Sequence, residues 1–221
     1  NFTYQWGYDN VGSSPTPSSE TYRGPSAGSE PETQALMNFV TAHSIKVNNG
    51  MHTWAGVDLC PYGYSTVLPV QADYEAFMES MTAVTAASGY NFAPVNSTLM
   101  YAVNGGSVDW AYHDRGILST TVEVGTHDFW PPINYIMPDA AANLPGMLYQ
   151  FWITGARLET TELNVTDGYL TPGQSENLIA TVKNMGQSTS EAFTYELTTA
   201  DPYLTLTPNV VSVASLLKRS S

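Results

Sequence analysis

The sequence is poor in cysteine and in positive charge. Its 221 residues include a single cysteine, Cys60, and seven Lys or Arg residues against twenty Asp or Glu residues, which gives a formal net charge of -13. A single cysteine excludes an internal disulfide and any zinc site built from several cysteines. Because so few basic side chains are available to neutralise phosphate groups, we expect neither nucleic acid nor an anionic membrane surface as a partner.

Long apolar runs are also missing. No stretch of about 18 uncharged apolar residues occurs, so the sequence predicts no membrane-spanning helix. The first residues lack the charged-then-apolar pattern of a signal peptide. Only 12% of the residues are charged, and the 14 tyrosines and five tryptophans add to a composition that is typical of secreted proteins. We therefore expect a secreted or extracellular globular protein.

Two sequence patterns divide the chain. Over residues 1–156, amphipathic helical segments alternate with short apolar or β-branched segments, a pattern typical of an α/β layered domain. Over residues 157–221, short alternating segments about ten residues apart, the last at Tyr203 to Leu206, predict four or so strands. An immunoglobulin-like sandwich needs about seven strands. We therefore expect an α/β domain followed by a truncated, immunoglobulin-like β-sandwich module.

Three elements of the α/β part can be given approximate bounds. Ser29 and Glu32 have the spacing of a capping box and predict the start of a helix. Pro145 is typical of a first helical position, so the last helix is predicted to begin there. The run from Ile117 to Val124 is rich in β-branched residues and predicts a buried strand.

Two ionisable side chains stand out from this pattern. Glu123 interrupts the buried strand, where a carboxylate costs several kcal/mol unless it is paired and where desolvation raises its pKa toward the range useful for acid–base catalysis. His52 follows a predicted strand, and active sites of open α/β sheets collect at strand ends. On the residues alone, Glu123 could equally form a salt bridge with Arg115 or Arg157, and His52 could be structural.

Several motifs follow one another in a fixed order along the chain. Tyr101 precedes the segment Gly105–Tyr112, and Thr121-Val122-Glu123 comes next; upstream lie the segments Ser18–Pro25, Ser29–Thr33 and Asn48–His52. Over about residues 1–155 this order closely resembles the C-terminal part of the catalytic domain of zinc carboxypeptidases of the carboxypeptidase A type. The resemblance implies the mixed-sheet α/β/α fold of that family.

The resemblance also implies a role for each of five residues. His52 would bind the zinc ion, and Glu123 would activate the attacking water and shuttle its proton. Tyr101 would close over the C-terminal residue of a peptide substrate. Val108 would line the specificity pocket, and Thr121 would lie near its floor. Because Val108 is apolar, the implied preference is for aliphatic or aromatic C-terminal residues.

Part of the implied site has no counterpart in these residues. In the family, two further zinc ligands come from a His-x-x-Glu motif, which none of the four histidines here forms. A catalytic zinc needs three protein ligands plus water, and His52 supplies one. We therefore expect one Zn²⁺ with an incomplete ligand set and a chain that is inactive alone. Its expected partners are peptide or protein C-termini and the N-terminal half of the catalytic domain.

Two other functions are compatible with parts of the sequence. A non-catalytic module could use aromatic side chains to bind a peptide or glycan without zinc; the candidates are Tyr62, Tyr64, Trp110 and Trp130. A glycosidase could use Asp109 and Glu123 as paired carboxylates. The glycosidase alternative leaves His52 and the spacing from Tyr101 to Glu123 unexplained.

Overall fold

The chain folds into two units. The computed structural model describes residues 1–166 and 168–221, and the units are Asn1–Phe151 and Trp152–Ser221. The boundary falls near the end of a long helix, a few residues before the predicted division after residue 156. The predicted immunoglobulin-like character of the second part stays a prediction.

Helices and strands alternate through the first unit, which confirms the predicted α/β class. In chain order the elements are α1 (Pro31–Ala42), β1 (Val47–His52), β2 (Val57–Cys60), α2 (Gln71–Thr85), β3 (Asn91–Pro94), α3 (Ser107–Arg115), β4 (Leu118–Glu123) and α4 (Ile133–Thr154). The prediction of a buried strand between Ile117 and Val124 agrees with β4, whose residues are mostly buried.

The four strands form one mixed sheet in the order β1-β4-β2-β3. β1 runs parallel to β4, with Val47 opposite Leu118 and His52 opposite Glu123. β2 runs antiparallel to β4 and parallel to β3. This arrangement confirms the predicted mixed sheet and brings the carboxyl ends of β1 and β4 to the same edge.

Helices cover both faces of this sheet. Asn48 on β1 lines a small cleft with Val40 of α1 and Trp110 of α3. The side chain of the next residue, Asn49, instead donates a hydrogen bond to Gln150 Oε1 of α4 (3.1 Å). Because successive side chains of a strand point to opposite faces, α1 and α3 cover one face and α4 covers the other.

The start of α1 differs from the predicted capping box. The N-cap residue is Glu30, without a side-chain cap. Ser29 Oγ donates to Glu30 Oε1 (2.8 Å), and the Glu30 N–H donates to Asn1 Oδ1 (3.1 Å). The predicted capping box was wrong, because Asn1, 29 residues earlier, supplies the acceptor for the N–H of the N-cap residue Glu30. Pro31, at the first helical position, has no N–H and needs no acceptor.

The start of α4 was also predicted wrongly. The helix begins at Ile133 and contains both Pro138 and Pro145. Between the prolines, the buried side chain of Asn143 donates to the Asp139 carbonyl (2.8 Å). Each proline removes one backbone hydrogen bond of the helix, so tertiary packing overrides the local preference here. No helix among the described residues is long and apolar enough to span a membrane.

The first 28 residues form turns and bends that are tied to the rest of the first unit. Arg23 lies over the Trp6 ring, 5.0 Å from guanidinium carbon to ring centroid, and its carbonyl accepts the Trp6 Nε1–H (2.6 Å). The Phe2 N–H donates to the Gly105 carbonyl (3.0 Å). These bonds anchor the segment beside the N-terminus of α3.

The second unit contains two separate strand pairs. β5 (Leu158–Val165) pairs antiparallel with β6 (Leu178–Asn184), and β7 (Phe193–Glu196) pairs antiparallel with β8 (Val210–Val213). The strand predicted at Tyr203 to Leu206 is wrong. Asp201 Oδ1 accepts the Tyr203 N–H (2.8 Å), which closes a turn there, and the strand forms at β8 instead.

Candidate active site

His52 and Glu123 are the last residues of two neighbouring parallel strands. They face each other in the β1–β4 register. The His52 carbonyl accepts the Val124 N–H (2.9 Å), and the Glu123 carbonyl accepts the Gly56 N–H (2.8 Å). Because the sheet fixes both backbones just where the strands end, the imidazole and the carboxylate are held on one face at the edge where open α/β sheets bind ligands.

The two side chains differ in exposure. His52 is exposed, whereas only 8% of Glu123 is exposed. Burial raises the pKa of Glu123, and the neighbouring His52 partly offsets this effect. Arg157, one of the salt-bridge partners considered for Glu123, forms an ion pair with Glu159 (2.5 Å). The protonated form of Glu123 is therefore favoured more than that of an exposed glutamate.

Thr121 lies on the same face of β4 as Glu123, two residues earlier. Gly50 is opposite Thr121 in the register. A Cβ atom at Gly50 would lie 3.3 Å from Thr121 Oγ1 and 3.7 Å from His52 Cδ2. The absence of a side chain at Gly50 thus lets the Thr121 side chain lie close to the β1 backbone. The structure therefore brings three of the five predicted site residues, His52, Thr121 and Glu123, to one strand end.

The other two predicted site residues belong to different elements. Val108 lies in the first turn of α3 and is buried, with 6% of its surface exposed. Tyr101 lies in the loop before α3 and is 72% exposed. A buried valine is suited to form an apolar wall, and most of the Tyr101 side chain is uncovered by other residues.

Asp109 is a buried carboxylate in α3, next to Val108. Its two oxygens accept the Gly63 N–H at 2.9 and 3.0 Å, and Oδ2 also accepts the Tyr64 N–H at 3.2 Å. Burial raises its pKa to about 6, although these backbone bonds and His113 partly offset the effect. Since its oxygens are engaged by the backbone, Asp109 does not fit the catalytic role that the glycosidase alternative gives it.

Asp58 was not found from the sequence. It lies in β2, is fully buried, and burial raises its pKa to about 7. Within residues 1–166 and 168–221, neither of its carboxylate oxygens has a hydrogen-bond partner of normal geometry. The pattern that led to Glu123, a carboxylate inside a short apolar strand, is also present in Val57–Cys60 and could have led to Asp58.

An apolar groove of about 620 Å³ opens beside the strand ends. Met51 and Val124, the immediate neighbours of His52 and Glu123, line it together with residues of α4 such as Met137 and Met147. Several other large apolar side chains of α4 are exposed, including Ile133, Ile136, Leu144 and Leu148. The first unit therefore presents an extended apolar surface next to the candidate site.

The described residues fit only part of a zinc site. In residues 1–166 and 168–221, no group of three or more His, Cys, Asp or Glu side chains is arranged to hold a metal ion. The exposed imidazole of His52 is accessible and of a type that binds zinc. It can fill one of the three protein positions that a catalytic zinc requires.

Comparison with known proteins agrees with this geometry. The zinc carboxypeptidase family profile matches residues 1–146. The chain belongs to the zinc carboxypeptidase family. Its relatives include carboxypeptidase A5 of Macaca fascicularis, 36% identical over 150 residues, and carboxypeptidase A1 of Rattus norvegicus, 34% identical over 148 residues. Each alignment covers 63% of this chain but only 34% and 35% of the relative, so the chain spans about a third of the length of either.

Two solved structures share the fold of about two thirds of this chain. Bovine thrombin-activatable fibrinolysis inhibitor in complex with tick carboxypeptidase inhibitor matches with a TM-score of 0.61 and 29% identity, over 67% of this chain and 53% of that one. Carboxypeptidase A from Helicoverpa armigera matches in fold with a TM-score of 0.59 and 22% identity, over 69% of this chain and 40% of that one. The predicted family and its mixed-sheet fold are thereby confirmed.

The binding-module alternative loses part of its basis. Tyr62 and Trp110 are buried, so their rings cannot offer a flat surface to a ligand. Trp130 is 91% exposed. Two of the four aromatic residues considered for a binding surface are therefore not accessible to a ligand.

Proposed function

We propose that this chain supplies the C-terminal part of the active site of a zinc-dependent carboxypeptidase. The reaction is hydrolysis of the last peptide bond of a peptide or protein. The observation that supports the proposal most directly is the register of β1 and β4, in which His52 and Glu123 end neighbouring strands on the same face. Family membership of residues 1–146 supports the reaction class.

In this proposal His52 is one zinc ligand. His52 would hold the ion together with ligands from elsewhere, and the chemistry supplied would be Lewis-acid activation of the scissile carbonyl and of the attacking water. Glu123 takes the proton of the attacking water and passes it to the nitrogen of the departing residue. Burial, which raises the pKa of Glu123, suits a group that must accept a proton and then donate it.

Three further residues are proposed to hold the substrate. Val108 forms an apolar wall of the pocket for the C-terminal side chain, and Thr121 lies near its floor. Tyr101 closes over the bound residue, for which its exposed loop position gives it room. Aliphatic and aromatic C-terminal residues are the proposed substrates, because a valine wall offers a basic side chain no counter-charge.

The remaining zinc ligands are proposed to come from a polypeptide segment outside these 221 residues. The chain aligns with about a third of its curated relatives, and His52 alone cannot hold a catalytic zinc. The apolar groove and the exposed face of α4 are surfaces that such a segment could cover. We also propose that the 221-residue chain is inactive by itself and that the enzyme acts outside the cell.

A longer polypeptide that carries a His-x-x-Glu segment ahead of Asn1 tests the reaction. It should release C-terminal Phe or Leu from peptides. Glu123→Gln should lower kcat by about 10²- to 10⁴-fold, because it removes the general base without changing shape. Asp114→Asn, an exposed carboxylate of α3 that faces His113, is the matched control and should leave kcat unchanged.

Retention of full activity by Glu123→Gln would refute its role as base. Bound zinc should fall sharply in His52→Ala, because a tetrahedral site loses one of three protein ligands. Zinc content equal to that of the unaltered polypeptide would show that His52 is not a ligand. Faster release of C-terminal Arg or Lys than of Phe would contradict the proposed role of Val108.

A further inference from the structure

We propose that Asp109 is a positioning residue that sets the place of the loop carrying Tyr101. The loop, residues 96–103, is called the Tyr101 loop here. The proposal rests on the proposed function only in giving Tyr101 a part in substrate binding. The positioning itself follows from the contacts of Asp109, Gly63 and the two ends of the loop.

Asp109 lies near the N-terminus of α3 but forms hydrogen bonds with a segment outside this helix. It is the third helical residue after the N-cap Gly106, where an acidic side chain often folds back to cap its own helix. Here α3 has no side-chain cap. The carboxylate instead accepts the N–H groups of Gly63 and Tyr64, 46 and 45 residues away in the sequence. The helix thus holds the backbone of another segment.

The held segment in turn fixes both ends of the Tyr101 loop. The Tyr62 carbonyl accepts the Asn96 N–H (3.0 Å), and the Gly63 carbonyl accepts the Val103 N–H (2.8 Å). Within the loop, Ser97 and Met100 form an isolated antiparallel bridge. Asp109 therefore binds the N–H side of the turn whose carbonyl side anchors the loop.

Gly63 and the end of the Tyr101 loop are closely packed. A Cβ atom at Gly63 would lie 3.0 Å from the Val103 carbonyl oxygen and 3.2 Å from Val95 Cγ1. Gly63 is therefore in close contact with the end of the loop. A shift of the turn must move Val103, and through it the base of the loop that carries Tyr101.

Several titratable groups lie near Asp109. His113 on the same helix lowers the pKa of Asp109. Cys60 of β2 and Tyr62 feel the charge of Asp109, and burial raises the pKa of each to about 12. Tyr64 donates its backbone N–H. Cys60 and Tyr62 therefore keep their protons between pH 5 and pH 8. Asp58, two residues before Cys60 in β2, also titrates in this range, with a pKa of about 7. Its protonation stabilises the folded state toward low pH, which is opposite in direction to the loss of protection expected from Asp109.

Amide hydrogen exchange of the 221-residue chain, measured by NMR between pH 5 and pH 8, tests the proposal. After correction for intrinsic exchange, the protection of the Asn96 and Val103 amides should fall about five- to tenfold toward pH 5. The reason is that a protonated carboxyl is a weaker acceptor than a carboxylate. Protection of the β4 amides Thr120 and Val122 should not fall toward pH 5, because protonation of the neighbouring Asp58 stabilises the sheet as the pH is lowered.

In Asp109→Asn, the protection of Asn96 and Val103 should be at least about tenfold lower at pH 8 and should lack the step. The control variant Asp114→Asn, near the other end of α3, should show the same pH-dependent step as the unaltered chain. A flat profile in the unaltered chain overturns the proposal, even if Asp109→Asn does not fold. So does an equal loss at Thr120 and Val122, which would show a general effect on stability. Neither readout depends on zinc or on hydrolysis, so failure of the proposed function would leave this result standing.

Discussion

Asp58→Asn is expected to raise the stability of the first unit at pH 8 while changing it little at pH 4. The carboxyl group of Asp58 lies in β2 with no exposed surface, and burial raises its pKa from an ordinary 3.8 to about 7. The nearby Thr120 hydroxyl and the Leu59 N–H offset only part of the desolvation. Asparagine has almost the same shape but carries no charge at any pH.

The size and sign of the effect follow from proton linkage. Between pH 3.8 and about 7 the folded state keeps a proton that the unfolded state has released, so stability falls as the pH rises through this range. The contribution is fully present below pH 3.8 and is lost above about pH 7. The difference between the two pKa values corresponds to about 4 kcal/mol. Asp58→Asn should recover up to this amount at pH 8.

Urea unfolding followed by tryptophan fluorescence measures the effect, since Trp152 is the only one of the five tryptophans in the second unit. The free energy of unfolding of Asp58→Asn minus that of the unaltered chain is compared at pH 4 and pH 8. Asp109 titrates in both proteins and cancels from the difference. Asp114→Asn, an exposed control, should show no pH-dependent difference. If the Asp58→Asn difference is also the same at both pH values, Asp58 does not titrate as a buried acid.

Two further predictions concern packing. Asn184 is fully buried and its side chain accepts two backbone N–H groups and donates to three carbonyls. Asn184→Ala should therefore destabilise the second unit by about 3 kcal/mol in thermal unfolding followed by circular dichroism, whereas the exposed Asn177→Ala should stay within about 0.5 kcal/mol. Equal melting temperatures of the two variants would refute this. Gly146 of α4 lies so close to the Val84 carbonyl of α2 that a Cβ atom would overlap it, so Gly146→Ala should cost at least about 2 kcal/mol in urea unfolding. Gly7→Ala, where no atom lies within 4 Å, is the control, and a similar small cost in both would show that the helices can move apart.

The sequence predicts the elements of the first unit better than their ends. β4 could be predicted because its β-branched residues favour a strand and the strand is mostly buried. Local sequence preference was therefore sufficient to find this element. The start of α4 could not be predicted, because Pro145 satisfies the rule for a first helical residue. Only tertiary packing explains why the helix continues on both sides of this proline. The strand predicted at Tyr203 does not form, because the Asp201 side chain closes a turn there. The alternation of apolar and polar residues does not reveal such a side-chain hydrogen bond.

The candidate site could be predicted in its members but not in its geometry. The motif order led to His52 and Glu123, yet their opposition depends on the register of strands some 70 residues apart in the sequence, which no local pattern encodes. Asp58 was missed although it interrupts an apolar strand as Glu123 does, because a four-residue strand gives too short a pattern to identify as buried. Asp109 was considered as a catalytic acid, and only the structure reveals that its oxygens hold a backbone turn.

Zinc binding by the purified 221-residue chain tests the central claim, that His52 and Glu123 form one part of a zinc-carboxypeptidase site. Equilibrium dialysis against zinc is run on the unaltered chain, on His52→Ala and on His43→Ala, with an assay for release of C-terminal Phe. His43 is an exposed histidine at the C-cap of α1. We expect weak zinc binding that His52→Ala abolishes and His43→Ala preserves, with no release of Phe. Tight binding close to one zinc ion per chain that survives in His52→Ala, or chelator-sensitive release of Phe, would contradict the account.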